Sequence, residues 1–251
     1  IINKDTSFNP IWIMRQAGRY LPEFREIRKK NPDFIKLCLN KSLTPEITLQ
    51  PLKRFQLDAA IIFSDILMLP YGLGQKVEFK KNFGPMLGEV NLNDFLKVNE
   101  EHFSNKLGPI YESINITSKN KIIHGKDLIG FVGAPWTILV YILNKESPKK
   151  DFKNFISDQS KNELVSNLIS IIVKFLKIHI TNQVKSGATI IQIFDSWAGL
   201  LDEEHLPNYV YIPTLSLVEY VKSLNIPVIC FPRGIKNYNE YCNLVKPDVI
   251  C

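Results

Sequence analysis

Five short apolar stretches set the strongest constraint on this chain: Ala59–Phe63, Leu128–Val132, Thr189–Phe194, Val228–Phe231 and Val249–Cys251. None alternates polar with apolar residues, so each reads as a strand covered on both faces, as in a parallel sheet. The segments between them carry helical spacing. In Asp158–Lys185, residues Leu164, Leu168, Ile172, Phe175 and Leu176 form one stripe, and Gly187 supplies a stop. A second helix begins near Pro213 and closes across Ser223–Pro227, while Lys145–Asn154 reads as a surface loop. Strand, helix and strand in this repetition predict an α/β fold with right-handed crossovers.

Two architectures fit that pattern. A doubly wound sheet would advertise a Gly-rich turn after its first strand, and neither GxGxxG nor GxxxxGK[ST] occurs. A (β/α)8 TIM barrel instead gathers polar residues at the C-terminal ends of its strands. Here those ends carry Asp65, Pro135-Trp136, Asp195-Ser196 and Arg233. The barrel is the expected fold, as a single domain over residues 1–251. Five strands do not close an eight-stranded barrel, so the reading expects the C-terminal βα units to be absent from this chain.

The basic residues are unevenly chosen. Of 31 Lys and Arg, only six are arginine, and four of those (Arg15, Arg19, Arg25 and Arg28) fall within fourteen consecutive residues. Arg is the residue suited to bidentate recognition of carboxylate or phosphate. The other reading of the cluster is a solvated helix face with Glu23 and Glu26 as partners; a surface salt bridge is the expectation for Arg25. The net charge of +6 comes from scattered lysines, which argues against a nucleic-acid partner. No uninterrupted apolar run reaches the length of a membrane span. The opening residues IINKDTSFNP resemble neither a secretory signal nor a transit peptide. Cys38, Cys230, Cys242 and Cys251 show no metal-ligand spacing and read as reduced thiols, which with the missing leader suggests the cytoplasm.

The stretch PIWIMRQAGRYLPEFREIR (Pro10–Arg28) closely resembles the N-terminal signature of uroporphyrinogen decarboxylases, and GFVGAPWTILVYIL (Gly130–Leu143) their second signature. LDAAIIFSDIL, QIFDSWAGLL and PVICFPRG continue the likeness in order, so it covers nearly the whole chain. The resemblance implies decarboxylation of the four acetate side chains of uroporphyrinogen III, giving coproporphyrinogen III in heme biosynthesis. It implies no metal and no organic cofactor, a small-molecule substrate and a homodimer.

By that resemblance Asp65 is the catalytic carboxylate, aimed at pyrrole N–H groups. It would stabilise the cation left by ring protonation, a contact stronger in the transition state than before it. Read without the family, Asp65 is as much a turn cap. The likeness assigns Arg15 and Arg19 to the substrate carboxylates, with Arg15 also steering a proton, and Gly18 between them suggests a bend. It adds Arg28, Gln16 and Ala17, the last two shaping the loop. It makes Tyr141 the site tyrosine that can bond the acetate or the aspartate, and Ser196 a contact near a carboxylate. Trp12, Phe63 and Trp136 read as wall or core, and Arg233 as a further possible carboxylate contact. His102, His124, His179 and His205 stand in no matching context.

Two other readings share the pattern. Corrinoid and coenzyme M methyltransferases are similar in fold but bind zinc through a His-x-Cys pair, which does not occur in this sequence. A non-catalytic tetrapyrrole-binding relative would keep the arginines and lose Asp65, which is present.

Overall fold

The computed structural model describes residues 9–80, 83–89, 92–148 and 162–251. The chain runs α1 (Pro22–Lys30), α2 (Phe34–Cys38) and α3 (Leu43–Arg54) into β1 (Ala59–Ile61). Next come α4 (Met68–Gly72), a hairpin of β2 (Val77–Lys80) and β3 (Gly84–Leu87), α5 (Leu92–Leu96), α6 (Glu100–Lys106) and α7 (Gly108–Ser118). Then follow β4 (Asp127–Gly133), α8 (Pro135–Asn144), α9 (Asn162–Lys185), β5 (Ile190–Asp195) and α10 (Ile212–Ser223). β6 (Val228–Pro232), α11 (Tyr238–Val245) and β7 (Val249–Ile250) complete the order.

All five apolar stretches form strands, and they pair in parallel in the order β1-β4-β5-β6-β7. The fold is α/β, and its sheet is a stretch of barrel wall that does not close on itself. Alternate residues divide between two faces. Ala60, Leu128, Ile191 and Val228 enter the large core shared with the helices. Ala59, Ile61, Ile129, Ile190 and Ile229 form a separate inner cluster, with Trp12, Phe131 and Phe194 packed against it. Both faces are apolar because both are covered, as a barrel wall requires.

The long helix is present as α9, with Leu168, Ile172, Phe175 and Leu176 buried. Asp158–Lys161 of its expected span, Lys149–Asn154 of the expected loop and residues 1–8 lie outside the described residues. Within α9, Glu163–Lys185 is long and apolar enough, by length and composition, to cross a membrane. A search for uninterrupted apolar runs passes over it because Ser, Asn and Lys punctuate the helix. Its apolar stripe is packed on β4, α8 and α10.

Side chains take over where the β1 ladder stops. On its outer edge β1 has residues 11–16 running alongside it. Ile11 N donates to Asp58 Oδ2 at 2.6 Å, and Asp58 N donates to Ile11 O at 2.8 Å. The Gln16 carboxamide donates to Ala59 O at 2.7 Å and accepts from Ile61 N at 3.2 Å, as a neighbouring strand would. On the inner edge the pairing with β4 ends after Ile62, whose N–H reaches Ile129 O at 3.0 Å. Beyond it, Phe63 N donates to Thr48 Oγ1, and the Gln183 carboxamide of α9 bonds both N and O of Phe131 at 3.0 Å. The strands part there, and the space between their C-terminal ends becomes part of a cleft.

Gln183 is 1% exposed, so replacing it by Leu strands two backbone groups in the interior. Gln183→Leu should destabilise the protein by about 2–4 kcal/mol, read from the urea midpoint at unchanged slope.

Candidate active site

A cleft of about 1220 Å3 opens at the C-terminal ends of the strands. That is larger than the roughly 300–1,000 Å3 of sites for drug-sized ligands, so it suits a bulky one. Its walls are the loop Met14–Arg19, α1, Phe34 of α2, the end of β1 and the β2–β3 hairpin.

Six cationic side chains line it: Arg15, Arg19, Arg25, Arg28, Lys29 and Lys80. No carboxylate stands among its described lining residues, and none of the six cations is ion-paired there. Glu23 does not serve the cluster; it makes a bidentate pair with Arg54 at 2.7 and 2.8 Å, which holds its carboxyl below the usual range. Arg25, expected in a surface salt bridge, instead donates to the backbone carbonyls of Arg19 and Tyr20. Arg28 donates to Asn31 O and lies 5.4 Å over the Phe34 ring. The apolar lining is aromatic. Phe34 meets Phe63 at 5.7 Å and Phe79 at 4.5 Å, and Phe131 meets Phe194 at 5.4 Å. A wall of aromatic rings beside cations with no contact ion pair among the described residues suits a bulky polyanionic ligand.

The expected substrate-binding residues divide into two groups. Arg15, Gln16, Ala17, Arg19 and Arg28 all line the cleft. Gln16, however, is 1% exposed with both ends of its carboxamide on β1, so it holds the loop rather than a ligand. Gly18 lies in a bend, as expected. Its φ is not positive and a Cβ there would meet nothing closer than 3.7 Å, so the bend does not demand glycine.

Asp65, Tyr141 and Ser196 lie outside the lining of this cleft. Asp65 follows Ser64, which does line it. Asp65 Oδ1 accepts from Leu67 N at 2.8 Å, so the carboxylate caps the turn into α4, while Oδ2 has no hydrogen bond among the described residues. Enclosure by protein pushes its carboxyl up from 3.8 to about 6, against the lowering effect of the Leu67 bond. Tyr141 is buried, edge-on to Trp197 at 6.1 Å, and no hydrogen bond joins it to Asp65. Arg233 also lies away from the cleft lining.

A clasp that the sequence did not reveal ties α8 to the residues after β5. Thr137 donates to the buried Asp195 at 2.6 Å and accepts from Trp197 N at 3.0 Å, while Trp136 Nε1 donates to Trp197 O at 3.0 Å. This fixes the end of β5 against α8, and burial lifts the Asp195 carboxyl to about 7. The only available signal was an acid at a strand's C-terminal end, which does not tell a clasp from a catalyst.

Comparison with known proteins agrees with the basic loop and the barrel wall. Residues 2–250 match the family described as Uroporphyrinogen decarboxylase (URO-D). The chain belongs to that family. It is 42% identical to the uroporphyrinogen decarboxylase of Rickettsia bellii over 247 residues, covering 96% of this chain and 72% of that protein. With the enzyme of Orientia tsutsugamushi (strain Ikeda) identity is 42%, over 99% of this chain and 73% of the relative. With that of Campylobacter jejuni it is 39%, over 94% and 70%. A methyltransferase from Methanosarcina mazei superposes with a TM-score of 0.69 at 14% identity, over 96% of this chain and 68% of that one. At that identity the likeness carries the fold alone.

The raised Asp65 carboxyl has a consequence for stability. The fold prefers the neutral acid, so this group's stabilising contribution is complete below about pH 4 and is lost as pH rises through 6. Asp65→Asn, which keeps the Leu67 acceptor, should match the parent in urea stability near pH 4. By pH 8 it should exceed it by about 2–3 kcal/mol. A pH-independent difference would show that Asp65 ionises freely.

Proposed function

We propose that this chain removes the acetate carboxyl groups of uroporphyrinogen as a carboxy-lyase of porphyrin biosynthesis. The observation that carries the reading is the cleft: six unpaired cations beside aromatic walls, sized for a polycarboxylated tetrapyrrole, in a chain of the uroporphyrinogen decarboxylase family. Arg15, Arg19 and Arg28 grip substrate carboxylates, and Gln16 and Ala17 keep their loop on β1.

Decarboxylation needs somewhere for the electron pair of the breaking C–C bond to go. Protonation of the pyrrole ring beside the acetate forms a cation that must be stabilised. The cation takes up the pair as CO2 leaves, and the exocyclic methylene so formed gains a proton to become the methyl group while the ring loses its added one. Asp65 suits that task. Its Oδ1 is fixed by Leu67 N, and its Oδ2 is left for pyrrole N–H groups. A carboxylate destabilised by burial gains more from a developing cation than a solvated one does, and that gain is specific to the transition state. Tyr141, edge-on to Trp197, and Ser196, beside it in sequence, complete the far side around an acetate. Arg15 steers the proton.

On this reading residues 1–251 work as a single barrel domain, supported by one core that runs from Ile35 to Val245. The protein acts as a homodimer in the cytoplasm without a metal or organic cofactor, as the family resemblance implies.

The test is anaerobic incubation of the full-length protein with uroporphyrinogen III, following coproporphyrinogen III by chromatography. Asp65→Asn should bind substrate near the parent affinity and lose turnover by about a hundredfold or more. Full turnover in that variant would remove Asp65 from the chemistry. Arg15→Lys keeps the charge but loses the fork, and a drop of about tenfold or more in kcat/KM is expected.

A further inference from the structure

The structure gives Arg25 a task that neither charge nor spacing announces. The turn Gln16–Leu21 joins the segment on β1 to α1 and presents Arg19 to the cleft. Few bonds hold this turn. Leu21 N donates to Gly18 O at 3.0 Å, and Tyr20 Oη donates to Gln16 O. The carbonyls of Arg19 and Tyr20, which lead into α1, accept no backbone N–H among the described residues, so only a side chain can bond them. Arg25 supplies it: its Nη1 donates to Arg19 O at 2.8 Å and Tyr20 O at 3.2 Å. No contact ion pair takes Arg25 from these carbonyls among the described residues: Glu23 is bidentate on Arg54 and feels Arg25 only through its charge, and no ion pair joins Arg25 to Glu26.

We propose that Arg25 is a positioning residue: its guanidinium pins the carbonyls of Arg19 and Tyr20, so that Arg19 leaves the turn already aimed at a ligand carboxylate. Fixing the peptide that follows Arg19 fixes the direction of its Cα–Cβ bond and spares the ligand the entropy of ordering the turn. Arg25 lines the same cleft, so direct contact with substrate is the competing role, and the two predict different couplings. The inference rests on the reading of the cleft as a polycarboxylate site.

A double-mutant cycle on the full-length enzyme separates them, with Arg25→Ala, Arg19→Ala and the double variant assayed for KM and kcat with uroporphyrinogen III. Arg25→Ala should raise KM about tenfold with kcat within about twofold, and Arg25→Lys should recover part of the loss. In the Arg19→Ala background, the same Arg25→Ala change should move KM by less than about twofold. An undiminished tenfold effect there would mean that Arg25 grips substrate itself and would overturn the proposal. So would an unchanged KM for Arg25→Ala in the parent. The cycle is repeated calorimetrically with benzenehexacarboxylate as the probe, which needs no turnover. Absence of decarboxylation by the parent sinks the functional reading, whereas additive calorimetric effects sink the role of Arg25.

Discussion

The bond between the Gln16 carboxamide and the edge of β1 fixes the relation of the basic loop to the sheet. Gln16 meets Ala59 O and Ile61 N, two groups that point away from β4 and would otherwise face an unfilled edge. A buried, unpaired backbone group costs about 1–3 kcal/mol, so the residue is held there from both sides. Its neighbours are placed as a consequence. Arg15 precedes it and Ala17 follows it, both on the cleft, while Trp12 enters the inner cluster of the sheet. Arg15 and Arg19 are therefore referenced to the rigid wall through Gln16 and the Ile11–Asp58 bonds before it, with Tyr20 and Arg25 bracing the turn beyond.

The same wall determines where the cleft can be. A continuous β1–β4 ladder would close the space between the C-terminal ends of those strands. Here the Gln183 carboxamide satisfies Phe131 in its place and Thr48 takes Phe63 N, so the strands separate with these backbone groups still bonded. Both phenylalanines then line the cleft. The opening is made by substituting donors and acceptors, not by leaving them unpaired, which keeps its energetic cost low.

How much of this could be read from the sequence follows from what each feature depends on. Strand positions were readable because burial on both faces writes itself as an apolar run. Ala59–Phe63, Thr189–Phe194 and Val228–Phe231 all reappear within a residue or two. The α9 stripe was readable for the same kind of reason. The β2–β3 hairpin was not, since Val77–Lys80 and Gly84–Leu87 are short, half-exposed and packed on one side only. The cluster of arginines was visible as composition, but the division of labour within it was not. Arg25 bonds carbonyls rather than carboxylates, and Glu23 answers an arginine 31 residues away. Both outcomes depend on which backbone groups the turn leaves bare. Gln183 and the Asp195–Thr137 clasp were hidden likewise, because a polar side chain that repairs a sheet looks, in sequence, like any other polar residue on a helix or strand.

The two carboxyls at strand ends show why position alone does not assign chemistry. Asp65 and Asp195 follow the same kind of apolar strand, and burial raises both, to about 6 and about 7. Asp195 is sealed at 1% exposure, bonded to Thr137 and packed toward α8, with its other oxygen unpartnered and cut off from solvent. Asp65 spends one oxygen on a backbone amide and stands next to a residue of the cleft wall. A raised pKa measures the cost of the charge in each place. What distinguishes them is whether a cation can arrive to offset that cost. At Asp195 only rearrangement of the clasp could admit one, so its raised carboxyl serves as a strut. At Asp65, beside the cleft wall, the proposed function would have a ligand bring a cation to the oxygen that Leu67 leaves open, and the cost would then be usable in a transition state.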